Sequence, residues 1–245
     1  MDLQSHKTRN QLELAFIGPP LDKGPLPLVI YFALSKEESL TLDPFNQPAL
    51  ALHSDKCRVA SITLPGHGPN LDPRAAIGVW AEDFEKGGDP LSPFFKQCQK
   101  AIDELIEEGI ASSVALMGLS RGVYAACQVA ALTPNVRTIL GFAPLVKLSF
   151  AKEFEGISLP SNLDLTSLCD LLCDRTIRFY IGNRDTRVNT AHTFELVSML
   201  ADTAYNRRIR SSPIELLIGP SIGYMGHGTP PHIFEEGAAW LKRNL

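Results

Sequence analysis

The chain has 245 residues, 44% hydrophobic, 8% aromatic and 20% charged, and its 23 basic and 27 acidic side chains leave a formal net charge of −4. This is the balance of a globular protein, and without a long run of like charges it offers no electrostatic footprint to nucleic acid or to an anionic membrane. Residues 1–10 are polar and lack the apolar core of a signal peptide, and the longest nearly apolar run, 25–34, is about half a membrane span, so a cytoplasmic protein without a membrane span is expected.

Along the chain, apolar segments alternate with helical ones. Short apolar runs, mostly ending in Gly or Pro, predict strands over 12–17, 28–32, 58–64, 113–117, 138–142, 176–181 and 214–218. Helical periodicity marks 94–108, 121–132, 191–204 and 232–241. From the third strand onward this order implies parallel crossovers and an α/β fold in which a mostly parallel central sheet carries helices on both faces. The first two strands are separated by the Gly- and Pro-rich residues 18–25, which suits an antiparallel hairpin at the sheet edge. A single domain spanning 1–245 is expected, with one long interruption at 143–175. That segment carries Leu145, Leu148, Phe150, Phe154, Leu163 and Leu168 and is too apolar for a solvated loop, so it reads as a short helical cap insert over the site. Cys57, Cys98, Cys127, Cys169 and Cys173 are an odd set at irregular spacing, which reads as reduced thiols; the Cys169/Cys173 pair lacks the further ligands of a zinc set, and no metal is expected.

The passage richest in chemistry is Gly118-Leu119-Ser120-Arg121-Gly122, at the join between the strand over 113–117 and the helix over 121–132. A serine on such a strand-turn-helix junction sits in strained backbone, and the glycines two residues to either side are the positions with no room for a Cβ. Gly219-Pro220-Ser221-Ile222-Gly223 matches the same pattern, but the Gly- and Pro-rich residues after it do not open a helix. Ser120 is therefore the candidate nucleophile. A serine hydroxyl needs a base within hydrogen-bond reach, and the base needs an orienting carboxylate; in open α/β sheets these gather at the C-terminal ends of strands. His227 in Gly226-His227-Gly228 lies after the strand over 214–218 and is the candidate base. Asp185 follows the strand over 176–181 and is the candidate carboxylate, with Arg184 and Arg187 expected to keep it ionised. His67, in Pro65-Gly66-His67-Gly68, precedes the serine in the chain, against the Ser, Asp, His order of this turn, and is expected to line the cleft. The Arg121 N–H supplies one oxyanion donor, and the second is expected from Ala33 or Leu34, after the strand over 28–32.

Together these motifs resemble the α/β-hydrolase superfamily, over residues 12–245. Where many relatives carry His-Gly after the oxyanion strand, this chain has Phe32-Ala33-Leu34-Ser35, and the match makes the Leu34 N–H the second oxyanion donor. The resemblance implies a serine hydrolase, carboxylesterase-like, that cleaves an ester, thioester or amide through an acyl-enzyme without cofactor. Ala33, His67, Phe150 and Phe154 are the expected substrate-binding residues, and the apolar insert favours a small-molecule substrate with an acyl or aromatic portion. An acyltransferase using the same triad, and a non-catalytic ligand-binding or scaffold protein with this fold, are the competing readings.

Overall fold

The computed structural model describes residues 3–54, 56–68 and 71–245. Its centre is an eight-stranded sheet: β1 (Gln4–Lys7), β2 (Glu13–Ile17), β3 (Leu26–Phe32), β4 (Arg58–Ile62), β5 (Ala111–Leu119), β6 (Thr138–Phe142), β7 (Thr176–Gly182) and β8 (Ile214–Gly219). The strand order is β1-β2-β4-β3-β5-β6-β7-β8. The β1/β2 and β2/β4 pairs are antiparallel, and every pair from β4 to β8 is parallel. The helices are α1 (Glu38–Thr41), α2 (Gln47–Leu52), α3 (Ala76–Glu85), α4 (Leu91–Glu107), α5 (Arg121–Leu132), α6 (Cys169–Leu172), α7 (Thr190–Asn206) and α8 (Pro231–Lys242).

The central strands are continuous apolar runs because both of their faces are covered, and alternation along each one deals its side chains to two cores. In β3, Leu28, Ile30 and Phe32 join the core beneath α3, α4, α5 and α7, while Val29 and Tyr31 join the opposite core beneath α1, α2 and α8. Strand β5 divides in the same way, Val114 and Leu116 to the first core and Ala115 and Met117 to the second. This is the expected mostly parallel sheet with helices on both faces.

Two expectations are corrected. Strands β2 and β3 do not form a hairpin, because β4 lies between them and β2 pairs with β1 instead. The Gly- and Pro-rich residues 18–25 therefore pass over the end of β4 rather than turning back on themselves. Arg58, the fully buried first residue of β4, holds that passage: its guanidinium donates to the carbonyls of Pro19 (3.1 Å), Gly24 (2.9 Å) and Pro20, and to that of Ile110 (2.6 Å). The second correction concerns residues 143–175, a string of short 3-10 turns ending in α6. Leu145, Leu148, Phe154, Leu163, Leu165, Leu168 and Leu172 are buried and continuous with the larger core. Tyr124 of α5 donates to the Leu163 carbonyl (2.9 Å), and Phe154 packs on Phe84 of α3. The segment flanks the helical layer, where most of its apolar residues are buried, while Phe150 and Leu171 stay exposed.

Candidate active site

Ser120 stands between β5 and α5 with φ 55° and ψ −116°, a left-handed conformation costly for any residue with a Cβ. Its N–H donates to the Phe142 carbonyl (2.8 Å), and its own carbonyl accepts from Val123 (3.0 Å) and Leu145 (3.2 Å), so the strain is held from both sides. The flanking glycines are required by contact rather than by dihedral angle. A Cβ on Gly118 would overlap the backbone of Gly122 and Val123, and one on Gly122 would overlap the Phe32 carbonyl. The turn thus packs against the end of β3.

Asp185 follows β7 and its side chain is 0% exposed. Oδ1 accepts from the backbone N–H groups of Arg187 (2.9 Å) and Val188 (3.1 Å), leaving Oδ2 for the histidine. Those backbone donors hold the carboxylate in place, and the Arg187 guanidinium turns to Glu153 (3.0 Å). His227 follows β8 after a turn in which Met225 and Gly226 both have positive φ, 56° and 73°. A Cβ on Gly226 would overlap the Arg184 carbonyl, so the histidine loop and the aspartate loop can lie this close only with glycine there. Ser221, the serine of the second motif match, ties the same loops together: its Oγ accepts from the Arg184 N–H (2.6 Å), and its N–H donates to Asn183 Oδ1 (3.2 Å).

The three side chains meet in series. His227 Nδ1 lies 2.7 Å from Asp185 Oδ2, and His227 Nε2 lies 2.9 Å from Ser120 Oγ. An ionised carboxylate has only acceptors, so Nδ1 carries the proton and Nε2 faces the serine hydroxyl as an acceptor. This arrangement can accept the proton of an attacking hydroxyl and stabilise the resulting imidazolium.

Comparison with solved structures agrees with this geometry at the level of architecture. The chain superposes on TT1662 from Thermus thermophilus with a TM-score of 0.72 at 16% identity, covering 99% of this chain and 98% of that one. It superposes on a cold-adapted esterase from an Arctic intertidal metagenomic library with a TM-score of 0.71 at 18% identity, covering 99% and 93%. The chain has the α/β-hydrolase fold. Dipeptidyl peptidase 4 of Porphyromonas gingivalis shares the α/β-hydrolase architecture over 35% of its own length and 100% of this chain, with a TM-score of 0.71 at 15% identity. No protein-family model and no curated protein matches the sequence.

Ser120 and His227 open into a cavity of about 570 Å³. One wall is apolar, from Pro44, Phe45, Ile77, Leu119, Ile222 and Phe234, and Arg74, Arg121, Arg187, Tyr224, Gly228 and Thr229 complete the lining. None of the four expected substrate-binding residues lines it. Phe154 is in the core, and Phe150 packs edge-on against the His192 ring. Ala33 is buried at the end of β3. His67 is buried with no partner for either ring nitrogen among the described residues; burial and the nearby Arg121 charge push its pKa down to about 4. Leu34 is corrected too, since its N–H donates to Ser39 Oγ (2.9 Å) and is already engaged. Of the lining residues that sequence reasoning did not single out, Pro44, Phe45, Arg74, Tyr224 and Thr229 lie outside the long periodic elements, while Leu119, Ile222, Gly228 and Phe234 lie on motifs or helices that were read but carry no mark of facing a cavity. Arg187 was noticed, but for its place beside Asp185 rather than for the cavity.

Proposed function

We propose that the protein is a serine hydrolase that cleaves a carboxylic ester through an acyl-enzyme on Ser120. The observation that carries this reading is the unbroken series from Asp185 Oδ2 through His227 to Ser120 Oγ, at 2.7 and 2.9 Å. Ser120 Oγ attacks the ester carbonyl as its proton passes to His227 Nε2, and the imidazolium is stabilised by Asp185. The tetrahedral intermediate then expels the alcohol, which leaves with that proton. Water, deprotonated by the same Nε2, attacks the acyl-enzyme and releases the acid and Ser120. The Arg121 N–H, at the first position of α5 and without an intrahelical acceptor, is the first oxyanion donor. With Leu34 engaged, the N–H of Ala33, the other expected donor, which has no acceptor among the described residues and lies beside Gly122 of the serine turn, takes the second place in this reading.

Esterases among the structural neighbours support ester cleavage, and peptidases of the same architecture keep amides and thioesters within the chemical range of the site. The apolar wall of Phe45, Ile77, Leu119 and Phe234 suits a small-molecule substrate with an acyl or aromatic portion, the preference first assigned to the insert. An active serine predicts that a fluorophosphonate probe labels Ser120. The Ser120→Ala variant should keep its circular dichroism, lose labelling, and lose turnover of 4-nitrophenyl esters by about four to six orders of magnitude. Residual turnover within tenfold of the unaltered protein would remove Ser120 from its role. Added alcohols or thiols that captured the acyl group ahead of water would move the reading to an acyltransferase.

A further inference from the structure

Three arginines, Arg74, Arg121 and Arg187, line the cavity beside Ser120 and His227, and none of its lining residues is acidic. A guanidinium offers five N–H donors. The Arg121 side chain uses Nη2 on the Pro73 carbonyl (2.7 Å), and that of Arg187 uses Nη2 on Glu153 (3.0 Å). Arg74 is exposed, and its guanidinium has no hydrogen bond or ion pair among the described residues. Most of the donors in this wall are therefore uncommitted among the described residues. Glu153 pairs with Arg187, and Glu153 and Asp72 both lie close enough to Arg121 to favour its charged form against burial. Burial, with Arg187 nearby, pushes the Arg121 pKa down to about 10, so this cation is desolvated beside a like charge. His67 adds no further positive charge near neutral pH. Arginines serving only to brace loops would have their donors met by protein; here they face the space that opens onto the nucleophile.

We propose that the cavity selects esters carrying a free carboxylate, held by the Arg121 and Arg74 guanidiniums while the apolar wall takes the rest of the molecule. The planar fork of a guanidinium matches a carboxylate, and the Arg74 guanidinium has no partner of its own among the described residues. This inference rests on the hydrolase reading for its chemistry, but its recognition element is separable from turnover.

Two matched pairs of probes test it, one with the charge on the acyl side and one on the leaving side. They are 4-nitrophenyl hydrogen glutarate against 4-nitrophenyl valerate, and 4-acetoxybenzoate against its methyl ester. In at least one pair, kcat/KM corrected for uncatalysed hydrolysis should favour the anion by about tenfold or more, the effect of one charge-assisted contact. The ratio should fall between about 0.1 and 1 M salt, as the screening length drops from about 10 to 3 Å. Arg74→Gln should lower the ratio, and Arg74→Lys should restore part of it. The same pairs titrated against Ser120→Ala by calorimetry should show the same order of affinity. Equal or better use and binding of the neutral member in both pairs overturns the inference, and with Ser120 still labelled by fluorophosphonate the hydrolase reading survives. Preferential binding of the anion without labelling or turnover supports the carboxylate site and removes the hydrolase reading instead.

Discussion

At the residue scale, the site depends on backbone that most side chains would not tolerate. Ser120 occupies a left-handed conformation, and Gly118 and Gly122 make room for it against their neighbours. Gly122→Ala should therefore drive a methyl into the Phe32 carbonyl and shift the residues that follow β3. The expected cost is about 3 kcal/mol or more, a fall in Tm of roughly 6–12 °C for a chain of this size, with turnover lost at temperatures where the variant is still folded. An unchanged Tm and full activity would show that the two backbones are not in contact. Asp185 is the most buried member of the series, and its Oδ1 is already taken by two backbone N–H groups. Asp185→Asn preserves that anchoring oxygen but presents an amide to His227 Nδ1, favouring the wrong tautomer. We expect kcat to fall by about 10⁴-fold with an unchanged far-UV spectrum, whereas a loss under tenfold would assign the aspartate to structure alone. The types and positions of Ser120, Asp185 and His227 were legible because strand ends and glycine-rich turns are local signals. Which donors answer Asp185, and that the Leu34 N–H is occupied by Ser39, depends on residues brought in by folding.

At the element scale, the seven apolar strands and the four longer periodic helices were legible, because a strand buried on both faces and a helix buried on one write their period into the chain. What was missed follows a physical pattern. Strand β1 is polar and alternates half-buried with exposed positions, so its place comes from main-chain pairing with β2 that its side chains do not advertise. The short α1 and α2 lack a side-chain cap and have too few turns for a period to show. In α3, the buried Ala76, Ile77, Trp80 and Ala81 do repeat every four residues, a signal that was present and overlooked. The passage over 18–25 was read from its turn residues alone, whereas its path is decided by Arg58 beneath it. Replacing Arg58 by Met should leave the Pro19 and Gly24 carbonyls without the guanidinium, while Pro20 keeps the Lys23 N–H and Ile110 the Leu26 N–H. A loss of about 1–3 kcal/mol for each carbonyl left bare is expected, seen as a lower urea midpoint with unchanged slope. A shift below 1 kcal/mol would mean that water meets those carbonyls equally well.

At the scale of the whole molecule, burial couples the fold to pH. His67 is enclosed and its pKa lies near 4 rather than the usual 6.5, so between those values the unfolded chain binds a proton that the folded chain refuses. Stability should therefore be complete above about pH 6.5 and decline as pH falls toward 4, by up to about 3 kcal/mol from this group. His67→Gln should flatten that part of the stability curve, measured as Tm at pH 7 and pH 5; parallel curves for the two proteins would discharge the histidine from this effect. Burial likewise raises the thiol pKa of Cys127 to about 12 and of Cys169 to about 11, which keeps them protonated and poor nucleophiles near neutral pH. Local information in the chain was enough to specify the alternating layers, the strained serine turn and the order of Ser120, Asp185 and His227, since each rests on the period or backbone freedom of a short segment. Strand pairing at the edge, the lateral packing of 143–175 and the arginine-lined wall of the cavity were settled only by folding. Each of those depends on which distant surfaces bury one another, and no segment carries that free energy by itself.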